Sequence, residues 1–379
     1  MFEQLHTDLN GVAAPIETSA SLPPACYADA DVAGLERDAV FRTSWVGIGR
    51  WDQWKNVGDY SALTIADIPV IVVRDKSQVL KAYSNSCRHR GSLMLEGSGN
   101  AQTISCPFHR WTYGLDGELR GAPDMPECAT FNKCDHGLVQ FRAAERDGFA
   151  FICFDDATPD LDEWLGDFSE LHAPWKMGEL VTTRRLELEV DCNWKGFLEV
   201  FNEYYHLPYV HADTVANVYA RPVASDAVTG KYASQFSVTE GTGGLLEATQ
   251  AYALPAIPWL EGRNKSGTRY TWLFPNMTFA ASTEAIWIYE ATPLETGRCR
   301  VVMTVCFPPE TVALDQFEEC SQVYYDRMDA ALAEDIPALA RYHKGLASPF
   351  AKQGCYCADL EPNVASFAFW YADHMRQAI

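Results

Sequence analysis

Residues 87–111 read CRHRGSLMLEGSGNAQTISCPFHRW. Cys87-x-His89 and Cys106-x-x-His109 are separated by sixteen residues, so each of two short loops offers one thiol and one imidazole. Zinc could use the same four donors, but structural zinc hairpins usually pair two cysteines on one knuckle and two histidines on the other. Here both knuckles are mixed. That pattern suits a two-iron cluster with both cysteines on one iron and both histidines on the other, imidazole raising the reduction potential above that of an all-cysteine cluster. Arg88, Arg90, Gly91, Pro107 and Gly114 around the donors predict tight loops, with backbone N–H groups close to bridging sulfides.

CRHRGS at 87–92 and CPFHRWTY at 106–113 resemble the Rieske [2Fe-2S] motif, in the form found in the large (alpha) subunit of Rieske non-haem iron oxygenases. The resemblance implies Cys87 and Cys106 on one iron and His89 and His109 on the other. Arg110 departs from it, standing where family members usually carry glycine. The local loop geometry and the docking surface for an electron donor are where that departure should tell.

A chain of 379 residues exceeds the usual size of one core and predicts two domains. Thirty Lys and Arg against 51 Asp and Glu leave a formal charge of −21. Such a balance argues against nucleic-acid or anionic membrane partners; a cationic substrate, a basic redox partner, or solubility alone each accounts for it. The opening MFEQLHTDLNGVAAP has early acids and no apolar leader run, and apolar stretches such as GFAFICF at 148–154 are strand-sized, so a cytoplasmic protein is expected. Twelve cysteines show no disulfide framework and read mostly as small buried residues in a reducing compartment. Cys355-x-Cys357 stands apart as a possible metal pair, without a histidine pair near it.

Outward from the motif, the pattern predicts an α+β chain. A Pro-rich opening and a helix in YADADVAGLERDAVFRTSW give an N-terminal segment, 1–38, expected to pack on the catalytic domain. Short β-type runs WVGIGR, DYSALTI, PVIVVRD and LKAYSN, then LVQFRAAERDGFAFICFD with Asp147-Gly148 as a hairpin turn, predict a small antiparallel β domain over 39–156. In 157–379, RRLELEVDC reads as a strand, four aromatic-rich alternating runs between about 230 and 308 as a twisted antiparallel sheet, and the last seventy residues as helices covering it.

Between these, NWKGFLEVFNEYYHLPYVHADTV at 193–215 predicts a helix capped by Asn193, with Trp194, Phe197, Leu198 and Phe201 on one face, ending near Leu207 because Pro208 cannot continue it. Glu199, Glu203 and His206 would then share a face. His211, beyond the proline, pairs with His206; two imidazoles and a distant carboxylate form the set that leaves open positions on ferrous iron. Asp335 in AEDIPALARYHKGL is the candidate carboxylate. Here too the chain resembles Rieske oxygenases: NWKGFLEVFNEYYHLPYVH their histidine helix, LFPN at 273–276 their pocket strand, EDIPAL at 334–339 their carboxylate helix. The resemblance implies mononuclear Fe(II) on His206, His211 and Asp335. It implies that Glu203 is the bridging acid, often aspartate in the family, on a path from His109 to His206 across the subunit interface of a homotrimer. An ordinary supporting acid or a solvated residue is the alternative for Glu203. His343 replaces an expected glutamine.

The function so implied is a terminal oxygenase that takes electrons, through a flavin and iron–sulfur reductase with or without a ferredoxin, from NAD(P)H; no flavin or nicotinamide motif is visible in the chain itself. Trp272, Phe274, Phe279, Trp287 and Tyr289 read either as sheet-core aromatics or as pocket walls. As walls they suit a quaternary ammonium group. The chain looks most like the choline, glycine betaine and carnitine branch, which points to oxidation or N-demethylation of a small amine. Mono- or dihydroxylation of an arene is the second reading and a bare Rieske electron carrier the third, although a carrier has no use for the second half of the chain.

Overall fold

The computed structural model describes residues 2–125 and 129–379. They divide into two compact units, Arg42–Thr158 and the residues up to Phe41 together with Pro159–Ile379. The cuts lie a few residues beyond the 39 and 156 suggested by composition.

In the smaller unit, the β-type runs become strands β1 (Val46–Arg50), β2 (Asp59–Ile65), β3 (Ile68–Arg74), β4 (Leu80–Ser84), β5 (Ser98–Asn100), β6 (Ile104–Ser105), β7 (Thr112–Tyr113), β8 (Leu119–Gly121), β9 (Gln140–Arg146) and β10 (Phe149–Cys153). Seven of them form an antiparallel sheet in the order β1-β10-β9-β4-β3-β2-β5, and β6-β7-β8 form a small second sheet. Asp147 and Gly148 both take positive φ, 49° and 85°, the two left-handed residues that a tight β9–β10 hairpin requires. Cys87 and Cys106 belong to a buried cluster with Ile71, Tyr83, Ile104, Trp111 and Tyr113. The donor loops are thus rooted in a core.

The larger unit is built on a six-stranded antiparallel sheet of β11 (Val181–Val190), β12 (Tyr232–Val238), β13 (Gly267–Leu273), β14 (Met277–Ala281), β15 (Ile286–Glu295) and β16 (Arg298–Phe307). Its order is β11-β16-β15-β14-β13-β12. Four helices matter for the site: α1 (Trp194–Phe201), α2 (Leu207–Val210), α3 (Phe317–Leu346) and α4 (Pro362–Ala378). α1 lies over β14–β16, α3 packs on α1 and α2, and α4 covers β12 and β13. Asn193 caps α1 through its side-chain oxygen, which accepts from the Lys195 N–H.

One expected boundary is wrong. α1 stops at Phe201 rather than near Leu207, because Asn202 ends it. The Asn202 amide donates to the Leu198 carbonyl at 2.7 Å and to Thr278 Oγ1 at 3.0 Å, tying the helix terminus to β14. Pro208 therefore breaks nothing; it sits in the first turn of α2, where its missing N–H costs no bond.

Candidate metal centres and substrate cavity

The loop after β4 folds back on itself through Gly91 N–H to the Cys87 carbonyl, 2.9 Å, with Gly91 at φ 77°. The second loop closes through Arg110 N–H to the Cys106 carbonyl, 3.1 Å. Arg110 itself is at φ 60°, left-handed backbone that costs an L-residue about 1–2 kcal/mol and that glycine adopts freely. The family glycine thus has a backbone reason, and the arginine takes the same conformation under strain.

Both thiols are buried, at 3% and 1% exposure, while both imidazoles are part-exposed. His89 and His109 face each other with ring centroids 4.7 Å apart, and His89 stacks on Trp111 at 4.9 Å. Cys106 has Cys87 as a hydrogen-bonding neighbour. Burial opposes its thiolate, yet the N–H groups of Phe108 and His109, together with Cys87 and Ser92, outweigh it and hold the thiol below its ordinary value. The Tyr113 hydroxyl lies 3.5 Å from Cys87 Sγ and accepts from the Arg88 N–H. His89 Nδ1 is buried without a partner. Sulfur is therefore paired with sulfur and imidazole with imidazole. No three of these four donors converge to the 4.8 Å span of a mononuclear site among the described residues. Thiols on one side and imidazoles on the other are the donor arrangement of a sulfide-bridged iron pair.

In the larger unit, His206, His211 and Asp335 do converge: one ligand atom from each lies within 4.8 Å of the others. Asp335 Oδ1 is 3.0 Å from His211 Nε2 and 3.7 Å from His206 Nε2. The outer nitrogens are occupied. His206 Nδ1 is 2.5 Å from Glu203 Oε1, and His211 Nδ1 is 2.6 Å from Glu334 Oε2, which also accepts from Thr214. A carboxylate on each Nδ1 fixes the tautomer and leaves each Nε2 as a metal donor. Burial disfavours a charged His211, but Asp335 and Glu334 outweigh it and raise its pKa. Two imidazoles and a carboxylate with open space beside them form the donor set of non-haem Fe(II) oxygenases.

The route to this geometry differs from the expected one. Glu203 and His206 do not share a face with Glu199 on one helix, since α1 has ended before them. Glu203 instead bends back so that its carboxylate accepts from the His206 backbone N–H, 3.0 Å, as well as from the ring. His206 and His211 flank the short α2 as its two caps. Glu199 points elsewhere: it is buried, 2.5 Å from the Tyr27 hydroxyl and 3.3 Å from that of Tyr342. Burial pushes its carboxyl up to about 7 against the pull of Tyr27 and Lys195.

Beside the three donors opens a cavity of ≈ 610 Å³, part of it continuous with solvent. Its walls include Phe201, Tyr270, Trp287, Tyr289 and Arg327. Of the five aromatics singled out in the sequence, only Trp287 and Tyr289 line it. Phe279 pairs with Ile288 and so lies on the opposite sheet face, against His172. Trp272 stacks on Phe367 of α4 at 4.0 Å, and Phe274 packs on Phe367 and Trp370. The walls the sequence missed, Gln235 and Tyr270, come from register: they stand in one cross-strand row with Ala280 and Trp287, small Ala280 leaving room between two rings. Glu334 and Arg327 were missed as well. Arg327 and Asp335 are eight residues apart on α3, a helical spacing that could have disclosed them.

Three other expectations can be placed. Cys355 is exposed and Cys357 part-exposed, and neither belongs to a metal-ligating group among the described residues. His343 packs against Gly297, where a Cβ would come 2.3 Å from its Nε2, two turns beyond Asp335 on α3. No helix among the described residues is long and apolar enough to cross a membrane.

Comparison with known proteins agrees with both centres. Residues 177–377 match the family of ring hydroxylating alpha subunits (catalytic domain), and residues 44–146 match the Rieske [2Fe-2S] domain. A putrescine 2-hydroxylase of Ralstonia nicotianae is 30% identical over 97% of this chain and 98% of its own length. A choloroplastic choline monooxygenase of Beta vulgaris is 26% identical over 94% of this chain and 77% of its own. The solved structure of a quaternary ammonium Rieske monooxygenase shares the fold, with a TM-score of 0.78 at 23% identity over 94% of this chain and 95% of that one. The chain belongs to the Rieske non-haem iron oxygenase alpha subunits, enzymes that combine a [2Fe-2S] cluster with a mononuclear iron.

Proposed function

We propose that this chain is the terminal oxygenase for a small quaternary amine, hydroxylating it or removing an N-methyl group. Cys87 and Cys106 hold one cluster iron and His89 and His109 the other; His206, His211 and Asp335 hold the mononuclear iron. The observation that carries the reading is the convergence of those three side chains, each imidazole braced by a carboxylate, beside an aromatic cavity. When bound, the mononuclear iron supplies dioxygen activation and the cluster a one-electron reservoir.

The chain's own residues do the rest. Glu203 and Glu334 keep the Nδ1 protons of His206 and His211 in place, so both rings present a lone pair at Nε2. Phe201, Tyr270, Trp287 and Tyr289 exclude water, and the rings of Phe201, Tyr270 and Tyr289 offer π faces, which attract a quaternary ammonium group by about 0.5–2 kcal/mol per ring. The relatives named for choline, a quaternary amine, and for putrescine, a primary diamine, favour an amine over an arene. Glu203 also accepts from His109 of a neighbouring copy in a homotrimer, and a separate reductase delivers electrons from NAD(P)H. Free cysteines throughout the described residues, including the buried neighbours Cys192 and Cys299, fit the reducing cytoplasm.

The test supplies the purified chain with a reductase and compares formaldehyde or hydroxylated product from trimethylammonium compounds with hydroxylation of arenes. Amine oxidation, with one iron per chain beyond the cluster pair, is expected. Arene products without amine oxidation would overturn the substrate class.

A further inference from the structure

Arg327 is the odd residue of the cavity. It is 7% exposed and lines the same space as Asp335. A buried guanidinium is expensive unless a carboxylate compensates it. Arg327 forms no ion pair among the described residues: its Nη2 donates to the Tyr219 hydroxyl at 3.2 Å, its Cζ lies 5.3 Å from the centre of the Trp287 ring, and its Nε has no partner. Of the acids nearest it along α3, Asp326 accepts from Gln322 and Asp329 is paired with Arg184. Two more polar atoms of the same walls, Trp287 Nε1 and Gln235 Oε1, are also buried without partners.

We propose that Arg327 is a specificity residue that binds a carboxylate of the substrate, so that the amine oxidised here is a zwitterion with an ammonium group at one end and a carboxylate at the other. This rests on the quaternary-amine reading above and narrows it. Arg327 and Asp335 both line the cavity, eight residues and about 12 Å apart along the axis of α3. A planar guanidinium can take a carboxylate through two parallel N–H bonds, and the free Nε–H is one of the donors for that geometry. Amines ending in a hydroxyl or a second ammonium leave the guanidinium uncompensated.

The experiment is calorimetric titration of the iron-loaded enzyme with three probes of one shape. γ-Butyrobetaine carries both charges, its methyl ester only the ammonium, and 5,5-dimethylhexanoate only the carboxylate. Arg327 acting on a carboxylate predicts that the ester binds at least about tenfold more weakly than γ-butyrobetaine, and that Arg327→Gln removes the difference. Equal affinity of ester and parent would overturn the role of Arg327 while leaving the amine reading intact. Equal affinity of 5,5-dimethylhexanoate and γ-butyrobetaine would overturn the amine reading while leaving the carboxylate site intact. Absence of binding by all three, and by homologues with one to four methylenes, would overturn both. The comparison of ester with parent uses the wild-type chain, so it decides the matter even if the variant does not fold.

Discussion

The two metal centres of this chain are assembled in opposite ways. The cluster donors lie within 23 consecutive residues, on two loops closed by their own backbone hydrogen bonds, with thiols inside and imidazoles toward the surface. The three donors of the second centre come from both ends of α2 and from α3, more than a hundred residues later, and one of the two acids that brace them, Glu334, was not singled out in the sequence. A local site needs only its loops and the core beneath them. A dispersed site needs the helix packing of a whole unit, so its loss should be separable from that of the cluster.

The largest effect tests that separation. Asp335→Ala should abolish product formation and remove the mononuclear iron, leaving the visible absorption of the cluster unchanged; loss of the mononuclear iron and the cluster absorption together would refute independent assembly. Next comes Glu199, a buried residue of α1 bonded to Tyr27 and Tyr342. Its folded pKa of about 7 exceeds its ordinary 4.5, so the folded chain binds this proton more tightly. The associated stability is fully present below pH 4.5 and is lost as pH rises through 7. Glu199→Gln should therefore stabilise the protein at pH 8 by up to about 3 kcal/mol and by less than about 1 kcal/mol at pH 5, read from denaturant midpoints.

Glu203→Gln sharpens the comparison at the point where the two centres would communicate. Both metals should stay bound while product formation falls about 10–100-fold. Undiminished turnover would leave Glu203 no role beyond its hydrogen bonds to His206. The smallest change concerns the cluster side alone: Arg110→Gly relieves a left-handed arginine and should raise the thermal midpoint, the gain staying below about 1 kcal/mol after glycine's extra chain entropy is counted.

Legibility followed the same division. The mixed Cys/His knuckles, the Asp147-Gly148 turn and the alternating runs announced the small β unit, because hairpins and loop ligands are written in adjacent residues. His206, His211 and Asp335 were also visible, chiefly through resemblance. The course of the chain between them was not: a helix through Leu207 was expected, and Asn202 ended it by bonding to Thr278 on a strand 76 residues away. Phe279 read like a pocket aromatic until the β14–β15 register turned it to the opposite sheet face.

By itself, then, the amino-acid order determined the donor chemistry, the sheet-forming segments and the pairing of thiol with imidazole on each loop, since these depend on residue type and short spacing. Only the tertiary structure decided that Glu334 braces His211, which rings face the cavity, and that Arg327 lines it without an ion pair among the described residues. Those are properties of register and helix packing, and burial sets their energy; a side chain's burial is fixed by residues far from it in the chain.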